Sequence, residues 1–103
     1  MEILEIKKGT VDVENIEKYN SLTRSITFWR KRLNCVTEEK FKCEYFKVGD
    51  YSSCSGKTEN EHYITLGESP RDKRVKQALV DFLTCKIIES LNDLITELNS
   101  IIK

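Results

Sequence analysis

The sequence is poor in residues that interrupt regular structure. It contains one proline and four glycines, and neither residue type occurs after Pro70. Residues 70–102 can therefore form a single helix, roughly 50 Å long at about 1.5 Å per residue. Ser69 can cap this helix with its hydroxyl, Pro70 has the backbone angle of a first helical position, and Asp72 follows at a capping-box position. The long C-terminal helix is the main element that we predict.

The sequence also has no net charge, a single histidine and no long apolar run. Lys and Arg together number 17, as do Asp and Glu, and His62 is the one histidine. A neutral chain has little long-range attraction for nucleic acid, and no run reaches the roughly 18 apolar residues of a membrane span. Glu2 and Glu5 lie where a signal peptide carries positive charge. We therefore expect a small cytoplasmic protein with one domain, residues 1–103.

Recognisable catalytic and metal-binding motifs are absent as well. The glycines fall outside any phosphate-binding loop pattern, and a cysteine nucleophile would have only His62 as its base. The four cysteines form no C-x-x-C pair, and without an export signal we expect reduced thiols. We predict no enzyme activity, no cofactor and no metal, with a metal site at Cys43, Cys54 and His62 as the open alternative.

The remaining patterns predict an α+β fold. The apolar residues within 1–8 indicate an N-terminal edge strand that ends at Gly9. Thr10 or Asp12 can cap a helix over residues 13–34, where apolar side chains recur with a 3-4-3-4 spacing. Apolar and polar residues alternate over 40–45 and again over 61–66, and the polar loop 49–60 lies between them, which predicts a β-hairpin. The apolar helix positions are Tyr19, Leu22, Ile26, Trp29 and Leu33.

The predicted long helix changes its apolar face midway. We expect the face of its first half to cover the core. The second half carries a seam with the 3-4-3 spacing of a coiled coil, and such a stripe left in water invites aggregation. We predict that the seam forms a homo-oligomer interface; the alternative is that the first helix covers it. The first face comprises Val75, Ala78, Leu79 and Phe82, and the seam comprises Ile87, Leu91, Leu94, Ile95, Leu98 and Ile101.

Two basic clusters give a candidate ligand-binding site. Phe28 faces away from the apolar stripe of the first helix, with cations one turn away on either side. An aromatic ring among cations suits a phosphate-bearing ligand or an acidic protein surface, and the start of the last helix offers N–H groups to an anion. The alternative is that Phe28 packs under the hairpin and the cations are solvated. The candidate residues are Arg24, Phe28, Lys31, Arg32, Arg71, Lys73, Arg74 and Lys76.

One resemblance rests on the second cluster. The order helix, strands, helix, with a closing helix whose first turns hold basic residues 71–76, resembles a double-stranded RNA-binding domain. It implies an RNA- or DNA-binding module. The chain departs from that family by having two central strands instead of three, by Pro70 and Asp72 in the basic turn, and by lacking the Gly-Pro-x-His signature.

These features favour stoichiometric binding as the function. Small size, abundant Lys, Asn, Ile and Glu, and the absence of a catalytic constellation resemble accessory proteins of phages and mobile elements. Many of those proteins inhibit a host or defence component. We predict a non-enzymatic homo-oligomer that binds a protein partner. The alternatives are binding of a nucleotide or nucleotide-derived signal through the basic clusters, and binding of duplex nucleic acid.

Overall fold

The computed structural model describes residues 2–37, 45–51 and 58–103, with side chains described for 2–37 and 65–103. The chain divides into two compact units, one formed by Met1–Phe41 with Val80–Lys103 and the other by Lys42–Leu79. The first unit contains the hydrophobic core. The single domain that the chain length predicts stays a prediction.

Two helices account for most of the described chain. Helix α1 spans Ile16–Thr37 and follows a 3-10 turn at Val13–Asn15. Helix α2 spans Pro70–Ile101. The predicted start of α2 is confirmed, because the backbone N–H of Asp72 donates to the hydroxyl of Ser69 at 3.1 Å and that hydroxyl donates to the Asp72 carboxylate at 2.8 Å.

Asp12 does not cap the first helical segment with its side chain, in contrast to the prediction. Asp12 occupies the capping position before the 3-10 turn, but its side chain makes no capping hydrogen bond. Its carboxylate instead lies 2.8 Å from the ammonium of Lys103, beyond the end of α2. The carboxylate therefore links the start of one helical segment to the end of the other.

The prediction of an α+β fold is wrong. Where side chains are described, 76% of the residues are helical, and helices build the core. Strands β1 (Tyr45–Tyr51) and β2 (Thr58–Thr65) form an antiparallel ribbon in the second unit, and both extend into the segment 49–60 that was predicted to be a loop. A two-stranded ribbon is too small to build a core of its own. In an α+β fold a sheet would have packed on the apolar stripe of α1. In the structure α2 covers that stripe.

The core lies between α1 and the second half of α2. Leu91, Ile95 and Leu98 are 0% exposed, and they form one cluster with side chains of α1. The predicted stripe on α1 is confirmed, because its members either belong to this cluster or pack against it. Leu22, Ile26, Val36, Ile87 and Ile102 complete the buried cluster, and Tyr19, Trp29 and Leu33 are half-buried against it.

The two helices run antiparallel within this unit. Lys18, near the start of α1, lies 3.8 Å from Glu97, near the end of α2. Val36, at the other end of α1, lines the same groove as Leu83 and Ile87. This register decides which side chains of the two helices lie close together.

The core lies on the second half of α2 and not, as was predicted, on the first half. The seam that was predicted to be an oligomer interface is buried within the chain, while Phe82 on the predicted core face is 58% exposed. Packing the longer aliphatic stripe against α1 removes more apolar area from water, at roughly 25 cal/mol per Å². The apolar reason for self-association through the seam is thereby removed. Within the seam, Ile87, Leu91, Ile95 and Leu98 are buried, and Leu94 and Ile101 are half-buried against the core; within the first face, Val75 and Ala78 are exposed and Leu79 is half-buried.

The predicted N-terminal strand is also wrong. Residues 2–8, here called the arm, have no strand pairing with any described residue and are held on α2 by two side chains. The amide oxygen of Asn92 accepts from the N–H of Leu4 at 2.8 Å, and its NH₂ group donates to the carbonyl of Glu2 at 2.9 Å. Asn99 repeats both bonds, with the N–H of Lys7 at 2.7 Å and the carbonyl of Glu5 at 3.0 Å.

The repeat of these bonds explains why the arm is not a strand. The bonded arm groups recur every three residues, and the two asparagines are seven residues apart. Three is the period of a polyproline II helix, which rises about 9 Å over that length, while seven residues of an α-helix rise about 10.5 Å. A strand has a period of two, so its second set of groups would face the opposite edge. The hydrogen-bonding groups of the arm therefore recur at nearly the same distance as the two asparagines on α2.

Gly9 carries the chain past the end of α2. A Cβ atom at this position would overlap the carbonyl oxygen of Lys103 and come within 3.0 Å of the Ile102 side chain. Directly after it, Thr10 and Lys103 exchange backbone hydrogen bonds of 3.3 and 2.9 Å. Only glycine lets the two backbones approach this closely.

We predict that the seam behaves as core in a single chain. Leu91→Ala should lower the free energy of unfolding by about 2–5 kcal/mol, the range for truncating a buried leucine. The matched control, Leu83→Ala, changes a residue that is 38% exposed, and it should cost less than about half as much. Urea unfolding followed by circular dichroism measures both. Equal losses for the two variants, or a Leu91→Ala loss that varies with protein concentration, would contradict the intrachain core.

We also predict that Gly9→Ala destabilises the chain. The added methyl group forces the backbone away from Lys103, at a cost of about 1–3 kcal/mol. Lys8→Ala, at the exposed neighbouring position, is the control and should leave the urea midpoint nearly unchanged. A gain in stability for Gly9→Ala would show that the close approach to Lys103 does not exist.

Candidate functional site

An apolar groove of about 580 Å³ lies on the first unit, along α1 and the middle of α2. Its side chains recur at intervals of three and four residues on both helices, so each set lies on one helical face. The buried Val36 and Ile87 form part of its lining and belong to the core as well. From α1 the groove receives Phe28, Trp29, Lys31, Arg32, Cys35 and Val36; from α2 it receives Leu83, Lys86, Ile87 and Ser90.

The groove follows from the way two helices pack. A pair of helices buries one stripe on each partner and leaves a valley on either side of the contact. On one side the arm lies against α2, and its Ile6 packs against the core. On the other side the groove occupies the valley, and Phe28 and Leu83 at its edge are 54% and 38% exposed. The groove is therefore the valley that the arm does not cover.

Positive charge surrounds the apolar lining. The guanidinium carbon of Arg32 lies 4.3 Å from the ring centre of Phe28 and 4.6 Å from that of Trp29, a double cation–π contact. The ammonium of Lys86 lies 3.1 Å from the Glu89 carboxylate. Lys31 makes no ion pair within the described part of the chain. Lys31 and Arg32 thus have charges available for an acidic ligand.

The hydroxyl that lines the groove is already engaged. The hydroxyl of Ser90 donates to the backbone carbonyl of Lys86 at 3.0 Å. Cys35 is an exposed free thiol. The groove therefore suits a ligand that offers apolar surface at its centre and negative charge at its edge.

Within the first unit, the structure places three residues of the predicted ligand site in the groove. Phe28, Lys31 and Arg32 line the groove, and the exposure of Phe28 is what a surface site requires. Arg24 is exposed on α1 and does not line the groove. The other four residues belong to the start of α2 in the second unit: Arg71, Lys73 and Arg74 are exposed, and Lys76 lies 3.4 Å from the Glu68 carboxylate.

The start of α2 is less open to an anion than the sequence predicts. The N–H of Asp72 already donates to the hydroxyl of Ser69, and Pro70 has no N–H to offer. The cap and the proline therefore remove two of the donors that an anion would have used.

The alternative metal site lies outside the described residues. Cys43 and Cys54 are not among the described residues, and neither is the side chain of His62. Cys35 and Cys85 are free, and within the described ranges no three metal-binding side chains come together.

Several residues of the groove escape prediction from sequence. Trp29 belongs to the predicted apolar stripe of the first helix, yet it is only half-buried and also lines the groove. Leu83, Lys86 and Ser90 come into the site only through the antiparallel register. Asn92 and Asn99 were overlooked, although polar residues seven apart beside an apolar stripe are a detectable signal.

No described helix combines the length and apolar content that crossing a bilayer requires. No family model, curated protein or solved structure matches the sequence. The resemblance to a double-stranded RNA-binding domain therefore gains no support, and the groove is the feature on which a functional proposal can rest.

We predict that Phe28 contributes little to stability. Phe28→Ala should lower the free energy of unfolding by less than about 1 kcal/mol, because the ring is more than half exposed. Ile26→Ala, on the buried face of the same helix, is the control and should cost about 2–5 kcal/mol. Comparable losses in urea unfolding would show that Phe28 is a core residue and would remove it from the site.

Proposed function

We propose that this chain is a non-enzymatic binding protein whose groove receives an amphipathic helix of a partner protein. The observation that carries the proposal is an apolar groove, open within the described part of the chain, that has a basic edge. Exposed Phe28 and Leu83 provide apolar contact surface, and Lys31 and Arg32 provide charge. Occupation of the groove would hold the partner's helix away from its other contacts, which is how stoichiometric inhibition would arise.

A helix is the occupant that suits the groove best. The valley between two packed helices accepts the side-chain ridges of a third helix at the usual spacing of roughly 8–10 Å between axes. Recognition of this kind uses apolar anchors on one face of the ligand helix. Such a helix would cover the exposed parts of Phe28 and Leu83, and fully burying one such side chain contributes roughly 1.5–3 kcal/mol.

The edge of the groove selects for acidic side chains. Arg32 holds its guanidinium over two aromatic rings, and these contacts favour one orientation before binding. A preorganised guanidinium can donate two hydrogen bonds to one carboxylate. We therefore expect glutamate or aspartate residues along the partner helix next to its apolar face.

Binding of a nucleotide is the second candidate, since the same cations could contact phosphate. The largely apolar lining and the engaged hydroxyl of Ser90 favour the helix over the nucleotide. Self-association through the seam has lost its physical basis, and a homo-oligomer would need another surface.

The intrinsic fluorescence of Trp29 tests the proposal directly. It is the one tryptophan in the sequence, and it lines the groove. The probe is a synthetic helical peptide of about 18 residues, or five turns, with leucines along one face and glutamates beside them. We expect a saturable change in the emission of Trp29. The control peptide has the same composition with its leucines spread around the helix, and it should give no saturable response.

Variants of the protein localise the binding. Replacing both Phe28 and Leu83 by alanine should weaken peptide binding by at least about tenfold, equivalent to roughly 1.4 kcal/mol. Phe82→Ala changes an exposed aromatic residue outside the groove, and it should leave binding unchanged. Equal binding of both peptides, or a saturable response to ATP and none to the leucine–glutamate peptide, would overturn the proposal.

A further inference from the structure

We propose that the arm is an exchangeable element, and that Asn92 and Asn99 of one copy bind the arm of a second copy of this chain. The two asparagines, here called the clamp, lie seven residues apart on α2. The proposal is independent of the groove, which does not contain the clamp.

The contacts of the clamp are those of a recognition site for extended backbone. Each asparagine accepts from one arm N–H and donates to the carbonyl two residues earlier, with all four distances between 2.7 and 3.0 Å. All four bonds run from side-chain amides to arm main chain. An arm from another copy would present the same groups at the same spacing, so the bonds would be equivalent within and between chains.

The arm is held loosely enough to leave. Ile3 and Leu4 are 40% and 47% exposed, and the four bonds to the clamp lie at exposed positions, where water can replace them. Ile6 is the arm residue that packs against the core. Opening the arm therefore leaves the α1–α2 core in place.

The pivot and the reach of the arm fit exchange with a second copy. Gly9 follows the arm and, having no Cβ, turns more freely than other residues, while Thr10 beyond it stays bonded to Lys103. Residues 2–8 extend over roughly 23–25 Å, so an opened arm can swing well away from its own α2. The arm of a second copy is the natural occupant, because it brings the same Ile6 as apolar anchor together with the matching backbone repeat.

The test uses the unmodified chain, mixed as isotope-labelled and unlabelled copies at high concentration. Isotope-filtered nuclear Overhauser spectra then separate contacts between chains from contacts within one chain. We expect contacts between the side-chain NH₂ protons of the clamp in one copy and Ile3 and Ile6 of the other, and we expect them to fade on dilution. If these contacts stay within one chain at every concentration, the proposal is wrong.

Complementary variants provide a second readout. One chain carries Asn92→Ala and Asn99→Ala, which removes the clamp and leaves the arm intact. The other carries Leu4→Pro and Lys7→Pro, which removes the two arm donors while keeping the backbone angle of a polyproline II helix. By light scattering each variant alone should be a monomer, and an equimolar mixture should contain heterodimers. A mixture that stays monomeric, with both variants folded by circular dichroism, overturns the proposal; if either variant does not fold, the isotope experiment decides.

Discussion

The packing of α1 against the second half of α2 is the contact on which the first unit depends. It removes Leu91, Ile95 and Leu98 completely from solvent. In this contact the two helices run antiparallel. The groove depends on that register, and the clamp lies along the opposite edge of the same buried stripe.

The two edges of the stripe are covered in different ways. Beside Asn92 and Asn99 the arm lies along α2. Its backbone N–H and C=O groups need hydrogen-bond partners, because the arm is neither a strand nor a helix. The two asparagine amides provide them. The opposite edge forms the groove, with exposed Phe28 and Leu83, and it is the edge at which an additional helix finds apolar contact.

Local signals in the sequence predicted local structure well. The 3-4-3-4 stripe on α1 and the Ser69–Asp72 cap of α2 rest on interactions between residues a few positions apart, and the structure confirms both. The choice between the two apolar faces of α2 depends on a partner that is distant in sequence, and the spacing of the faces alone does not decide it. The arm was mistaken for a strand for the same reason, since the side chains that bond it lie at the other end of the chain. Phe28, Lys31 and Arg32 were predictable as a surface cluster, whereas their neighbours on α2 depend on the register.

Direct measurement can decide whether one chain or several chains build the core. Methyl groups of Leu22 and Ile26 on α1 and of Leu91 and Leu98 on α2 belong to one buried cluster. Nuclear Overhauser contacts between the two helices can be recorded on labelled chain, alone and after co-refolding with a large excess of unlabelled chain. If one chain builds the core, these contacts keep their full intensity in the mixture, because both methyl groups belong to the same molecule. Contacts that weaken in proportion to the added unlabelled chain would show that the core forms between copies.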